Sequence, residues 1–206
     1  MRKKITVTNY KAFSDKTEIE IAPLNLIFGP NSSGKTSILH LFLLLKQTLN
    51  NKEGEILKLK DESALDLGSF KDIIFQNNRA KTLTIKINTQ LEHGRDRRFT
   101  PHRGVVDEFV KIAQKFNASL EIDILEVAGW GMVLNKVRVF SNEKKIFEIY
   151  LKDLKKNIYV YSKNGVTKDK KIWSDLIEKF KQNKEYLIGR HEENKKLKKD
   201  QHFIGK

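Results

Sequence analysis

Apolar and polar residues alternate with a period of two over much of this chain. Ile5-Thr6-Val7-Thr8 and Thr17-Glu18-Ile19-Glu20-Ile21 do so near the N-terminus, separated by the turn-rich stretch 9–15. Further on, 82–89, 119–125, 136–140, 145–150 and 157–161 repeat the pattern, with β-branched and aromatic residues interleaved with Lys, Glu, Asp and Arg. A strand sends successive side chains to opposite faces, so these runs predict strands with one wet face. Short turns such as Ser141-Asn142-Glu143 predict that they join as an antiparallel meander. Pro23 closes the second run, and Leu24-Asn25-Leu26-Ile27-Phe28 reads as one more short strand.

Three stretches have helical character instead. Residues 36–49 carry Ile38, Leu39, Leu41, Phe42, Leu43, Leu44, Leu45 and Leu49 on nearly every side, which predicts a helix buried all round. Val105, Val106, Phe109, Ile112, Ala113 and Phe116 form one stripe, and Ile172, Trp173, Leu176, Ile177 and Phe180 form another. The fold class expected is α/β, or α+β, with strands dominating the second half.

Composition narrows the setting. At 206 residues with 39% hydrophobic content the chain can bury a core of one domain or somewhat more. It has no run of eighteen uncharged apolar residues, no leader-like N-terminus and no cysteine, so the expectation is a cytoplasmic protein without membrane span, disulfide or thiol chemistry. A formal charge of +14 suits polyanionic partners, nucleic acid among them. The same charge also fits a lysine-rich solvated surface. Residues 94–103 form a basic loop with one aromatic, and 181–206 is a charged, apolar-poor tail.

The specific chemistry lies at Gly29-Pro30-Asn31-Ser32-Ser33-Gly34-Lys35-Thr36, which fits the phosphate-loop pattern of Gly, four residues, Gly-Lys-Ser/Thr. A chance match arises in about one chain in a hundred of this length, so the strand before it and the helix after it decide in its favour. Glycines permit positive φ and close approach, and the amides of residues 31–36 can converge with the positive end of a helix on an anion. Lys35, the candidate catalytic cation, would reach the β- and γ-phosphates of a nucleoside triphosphate, and the Thr36 hydroxyl would ligate Mg²⁺. Pro30 has no N–H to give. His40, one turn into the helix, reads as a packing residue, and Trp130, between Gly129 and Gly131, as a turn residue resting on the sheet.

A wider likeness rests on Ile5-x-Val7-x-Asn9-Tyr10-Lys11-x-Phe13 followed by Pro23-Leu24-Asn25-Leu26-Ile27-x-Gly29 through Leu39. This resembles the N-terminal lobe of ABC-type ATPases of the RecF, SMC, Rad50 and OLD group. Within that group it is most similar to bacterial AAA-family ATPases with a C-terminal domain of unknown function, some of them phage-defence subunits. The blocks 43–49 and 66–72 resemble two further family blocks. The resemblance implies a P-loop NTPase lobe at 1–180, with a mixed sheet around the P-loop helix and antiparallel strands at about 82–161; 181–206 would be a tail or the start of a second half. It implies that Gly29, Pro30, Asn31, Ser32, Ser33, Gly34, Lys35, Thr36 and Ser37 hold ATP and Mg²⁺, with 9–13 on the adenine side. Gln47 or Gln76 would meet Mg²⁺ and the lytic water. It also implies a homodimer or partner chain supplying a Leu-Ser-x-Gly signature, and work on nucleic acid in DNA repair or phage defence.

The sequence lacks that signature and a convincing apolar run ending in Asp-Glu. Val105-Val106-Asp107-Glu108 starts an amphipathic stripe, Ile122-Asp123-Ile124-Leu125-Glu126 is wrongly spaced, and His191 and His202 fall in the charged tail. An incomplete domain is therefore expected, by truncation, by a natural split or as a remnant, with weak or absent hydrolysis by this chain alone. The competing expectation is a basic nucleic-acid or partner-binding module with a vestigial loop. A small kinase is disfavoured, because such folds place parallel βα units after the loop.

Overall fold

The computed structural model describes residues 3–50, 55–62, 65–88, 118–141, 143–153 and 158–163. In chain order these form β1 (Lys3–Thr8), β2 (Thr17–Ile21), α1 (Lys35–Leu49), α2 (Phe70–Ile73), β3 (Leu83–Asn88), β4 (Ser119–Val127), β5 (Gly131–Ser141), β6 (Lys144–Asp153) and β7 (Ile158–Lys163). The strands make one seven-stranded sheet in the order β2-β1-β3-β4-β5-β6-β7, and every neighbouring pair is antiparallel.

The alternation in sequence becomes rows across this sheet. Ile19, Ile5, Ile87, Leu120, Val139 and Phe147 stand opposite one another from β2 to β6, and so do Val7, Ile85, Ile122, Val137 and Ile149. Between these apolar rows, on the other face, runs Glu18, Thr6, Lys86, Glu121, Arg138 and Glu148. A slip of one residue in any pairing would exchange the two sets, so burial of one face fixes the register. On the polar face Arg138 lies 2.5 Å from Asp123 and 3.3 Å from Glu148, and it also pairs with Glu121. Thr84 donates to Asp123 at 2.8 Å, and Lys145 meets Glu148 at 3.0 Å.

Residues 17–21 are β2 as expected, and 119–125 and 136–140 fall within the longer β4 and β5. The start of β5 was not legible, because Met132-Val133-Leu134 does not alternate. A bulge between Asp123 and Ile124 offsets the pairing there, and Val133 and Leu134 are both buried. Trp130 sits in the β4–β5 turn, its N–H donating to the Val127 carbonyl at 2.9 Å.

The core joins the apolar face of the sheet to one side of α1 (Leu41, Leu44, Leu45) and to Leu57, Leu67, Phe70, Ile73 and Ile74 from the connecting segment. Two polar side chains of α1 hold that segment. Gln47 donates its amide to the Lys58 carbonyl, and the Thr48 hydroxyl accepts the Lys58 N–H at 3.1 Å.

Two expectations need correction. Leu24-Asn25-Leu26-Ile27-Phe28 is not a strand: it pairs with nothing among the described residues, and Leu24, Leu26 and Phe28 are largely exposed. Asn25 diverts the chain here, accepting the Ala22 N–H at 2.7 Å and donating to the Glu20 carbonyl at 2.9 Å just as β2 ends. The helix is not buried all round either, since Leu39 is 55% exposed and Leu43 39%. Among the described residues no strand runs parallel to a neighbour, so the mixed sheet expected around α1 is not seen there. The stripes at 105–116 and 172–180, the basic loop, Asp107-Glu108, His191, His202 and the tail lie outside the described residues. Among the described residues no helix is long and apolar enough to cross a membrane.

Candidate functional site

The loop between Phe28 and α1 turns through alternating backbone hands. Gly29 has φ 153°, Ser32 φ 64° and Gly34 φ 93°, and the Ser33 N–H donates to the Pro30 carbonyl at 3.4 Å. Gly34 caps α1 in the left-handed region without any side-chain cap, and the first turn contains no acidic residue. Helix starts usually satisfy their unpaired N–H groups with a Ser, Thr, Asp or Asn side chain. Here the first main-chain bond is Ile38 N–H to the Gly34 carbonyl at 3.1 Å. The amides of Asn31, Ser32, Gly34, Lys35, Thr36 and Ser37 make no hydrogen bond among the described residues. Several donors at one helix terminus thus remain unspent at its positive end.

Lys35 folds back over this loop. Its ammonium donates to the Gly29 carbonyl at 2.8 Å and the Pro30 carbonyl at 2.6 Å. Two bonds pin a side chain that would otherwise sweep through solvent, and one of its three protons is left for a further acceptor. Thr36 is exposed, and its hydroxyl has no partner among the described residues. Amide donors, one fixed cation and one hydroxyl oxygen fit a polyphosphate carrying a hard, oxygen-ligated cation such as Mg²⁺. Among the described residues no group of three His, Asp or Glu side chains gathers that could hold a metal by itself. Of the loop's groups the Thr36 hydroxyl is one that could ligate such a cation.

Behind the loop stands a turn that sequence reasoning placed near the ligand without giving its shape. Tyr10 and Phe13 exchange main-chain bonds at 2.9 and 2.8 Å, and Asn9 and Lys11 both have positive φ. The Lys11 N–H donates to the Ile73 carbonyl at 2.8 Å, the Phe75 N–H to the Asn9 carbonyl at 3.1 Å, and the Asn9 amide to the Thr82 carbonyl at 2.9 Å. The turn is thereby sewn to 73–82. Tyr10 is fully buried with its hydroxyl unpartnered among the described residues, and burial pushes the phenol far above its usual range. Burial lowers the Lys11 ammonium, against the opposing pull of Asp72. His40 is lowered by burial and by Lys11, consistent with a neutral packing residue. The signals in sequence were weak: Asn tolerates the left-handed conformation, and Ser69-x-x-Asp72 has capping-box spacing.

The two candidate glutamines separate. Gln47 lies eleven residues beyond Thr36 on α1, about 16 Å along the axis at ~1.5 Å per residue, and its amide is committed to Lys58. It does not reach a metal at Thr36. Gln76 is exposed at φ 55°, one residue past the Phe75–Asn9 bond that ties this segment to the turn behind the loop.

A family model described as AAA ATPase domain matches residues 1–204. No curated protein matches the chain.

Proposed function

The chain belongs to the AAA ATPase domain family, a nucleotide-binding class, and on that footing we propose that residues 29–37 hold the triphosphate of ATP with Mg²⁺. The observation that carries this is the set of unspent amides at the start of α1 beside an ammonium already fixed over the loop. The amides of 31, 32 and 34–37 would cradle the β- and γ-phosphates, Lys35 would turn its remaining proton to them, and Thr36 would hold the metal. Bound Mg²⁺ would neutralise charge on the phosphate oxygens. Lys35 acts here by stabilising charge; a general base is a separate requirement, supplying about 10²- to 10⁴-fold.

Within the family we read the chain as the N-terminal lobe, 1–180, of an ABC-type ATPase. It would couple ATP binding to closure with a second copy or a partner chain and to action on nucleic acid in the cytoplasm, in DNA repair or phage defence. The support is the sequence likeness at 5–39 together with the antiparallel sheet behind the loop. Hydrolysis by this chain alone is expected to be weak. The charge of +14 favours a second reading, a basic module whose nucleic-acid affinity falls steeply with salt and ignores ATP.

Calorimetric titration of the chain with ATP and Mg²⁺ tests the first reading. Lys35→Ala is expected to weaken binding by roughly 10- to 100-fold, the range for a charge-assisted hydrogen bond. Negligible affinity in both proteins, at any salt concentration, would defeat it.

A further inference from the structure

Gly34 is buried although the residues before it, from Ala22 to Ser33, are all exposed. What buries it is the turn behind the loop. A methyl placed on Gly34 would lie 3.0 Å from Phe13 Cζ, 3.1 Å from Phe13 Cε1 and 3.4 Å from the Ala12 methyl. The tip of the Phe13 ring thus borders the space a Gly34 side chain would take, so that a methyl there would come closer than the roughly 3.5–4.0 Å of ordinary carbon contacts. Phe13 in turn packs against the core cluster, and its backbone is locked in the double bond pair with Tyr10.

Resting on the nucleotide-binding reading, we propose that Phe13 is a positioning residue for the phosphate loop. Its ring is the rear wall that holds Gly34 in the left-handed conformation, and that conformation aims the amides of Gly34, Lys35 and Thr36 to the open side. Phe13 touches no ligand in this scheme. It acts through Gly34, and its turn is itself anchored by main-chain bonds to Ile73 and Phe75.

Two substitutions bracket the idea. Phe13→Leu keeps apolar volume in the core but withdraws the ring tip from Gly34. Phe13→Tyr preserves the ring and adds a hydroxyl to Cζ, the atom already nearest Gly34, so it presses on the loop. Three measurements are made on each variant: thermal unfolding, the Gly34 amide resonance in nucleotide-free ¹⁵N spectra, and affinity for ATP with Mg²⁺. Both variants are expected to move the Gly34 resonance while leaving Gly129 and Gly131 in place, and to weaken ATP binding by about tenfold through lost preorganisation, out of proportion to any change in unfolding temperature.

An unmoved Gly34 resonance in both variants overturns the proposal whether or not nucleotide binds. So does wild-type affinity in both variants when Lys35→Ala has lost binding, and in that case the nucleotide reading survives without it. If the wild type itself fails to bind ATP, the nucleotide reading fails, and the Gly34 resonance still decides whether Phe13 sets the loop.

Discussion

Replacing Gly34 with alanine puts a number on how far the loop depends on a glycine at that position. At φ 93° a non-glycine residue costs about 1–2 kcal/mol in backbone sterics alone. The new methyl would also stand 3.0 Å from Phe13 Cζ and 3.1 Å from Cε1, an overlap with a ring that is backed by the core. Overpacking of that kind costs about 1–3 kcal/mol, for a total of about 2–5 kcal/mol if the loop keeps its shape. The loop is exposed elsewhere, so the cheaper response is for it to abandon that shape locally. Global stability would then change little, and the penalty would appear in ATP affinity as a loss of roughly 30-fold to a few thousand-fold. Gly129→Ala is the control. Gly129 has φ 79°, and a methyl added to it would meet nothing within 4 Å, so this position in the β4–β5 turn bears the backbone cost without the collision. Calorimetric titration with ATP and Mg²⁺, run beside urea unfolding, separates the two. A Gly34→Ala protein that binds within about threefold of the wild type would refute the reasoning, since at ~1.4 kcal/mol per tenfold it leaves less than 1 kcal/mol for both terms.

Other consequences are simpler to check. Leu44→Ala should destabilise the fold by about 2–5 kcal/mol in urea unfolding, whereas Leu43→Ala, one residue along but 39% exposed, should cost far less; equal losses would mean that both faces of α1 are buried. Arg138→Met removes the cation shared by Glu121, Asp123 and Glu148, whose side chains are 20%, 9% and 14% exposed; Asp123 keeps Thr84 and Glu148 keeps Lys145, but the loss should still be about 3 kcal/mol by the same assay, and a loss under about 1 kcal/mol would show that these remaining partners suffice. The Asp72 carboxylate accepts the Ser69 N–H and hydroxyl, both at 2.7 Å, and these bonds hold its pKa below the usual aspartate value. Because the folded pKa is depressed, the cap of α2 is intact above an ordinary aspartate pKa of about 4 and is lost as pH falls through the lowered value. Titrating the Ser69 amide resonance from roughly pH 6 to pH 2 reads this directly, and an Asp72 that titrates at or above about 4 would contradict it.

The strands were legible because each obeys a local rule whose consequence is also local. Thr17-Glu18-Ile19-Glu20-Ile21 alternates and has one half-buried and one exposed face, so period and structure agree residue by residue. Where a bulge interrupts the rule, as at Asp123/Ile124, the sequence pattern blurs and the first half of β5 is lost to view. The bend into α1 was legible for a different reason: a left-handed turn at that point favours glycine, and Gly34 at φ 93° meets that demand. Its rear wall was not legible in this sense. Phe13 stands twenty-one positions before Gly34, and nothing in a one-dimensional pattern says that an aromatic ring in one turn fills the space left by a missing side chain in another. Gln47 failed differently. Its position on the helix after the loop suggested a place near the metal, but a helix rises about 1.5 Å per residue, and that alone removes it.

The exposed run 24–28 and the exposed Leu39 and Leu43 belong to the same physical situation as the loop they flank. On the side of the antiparallel sheet, α1 is held by core contacts, by Gln47 and Thr48 on Lys58, and by the Phe13 turn against Gly34. On the opposite side Leu39 and Leu43 remain exposed. If the loop holds phosphates as proposed, its amides need to be fixed before the ligand arrives, and the fixing here comes from the cap at Gly34, the wall at Phe13 and the two carbonyls that hold Lys35. Binding of the phosphates and activation of the lytic water therefore draw on different parts of the structure. The first needs only elements already in contact with one another. The second needs, in addition, a general base placed to take a proton from the attacking water. Affinity for ATP and turnover of ATP should accordingly be separable in this chain, with the first surviving conditions in which the second is absent.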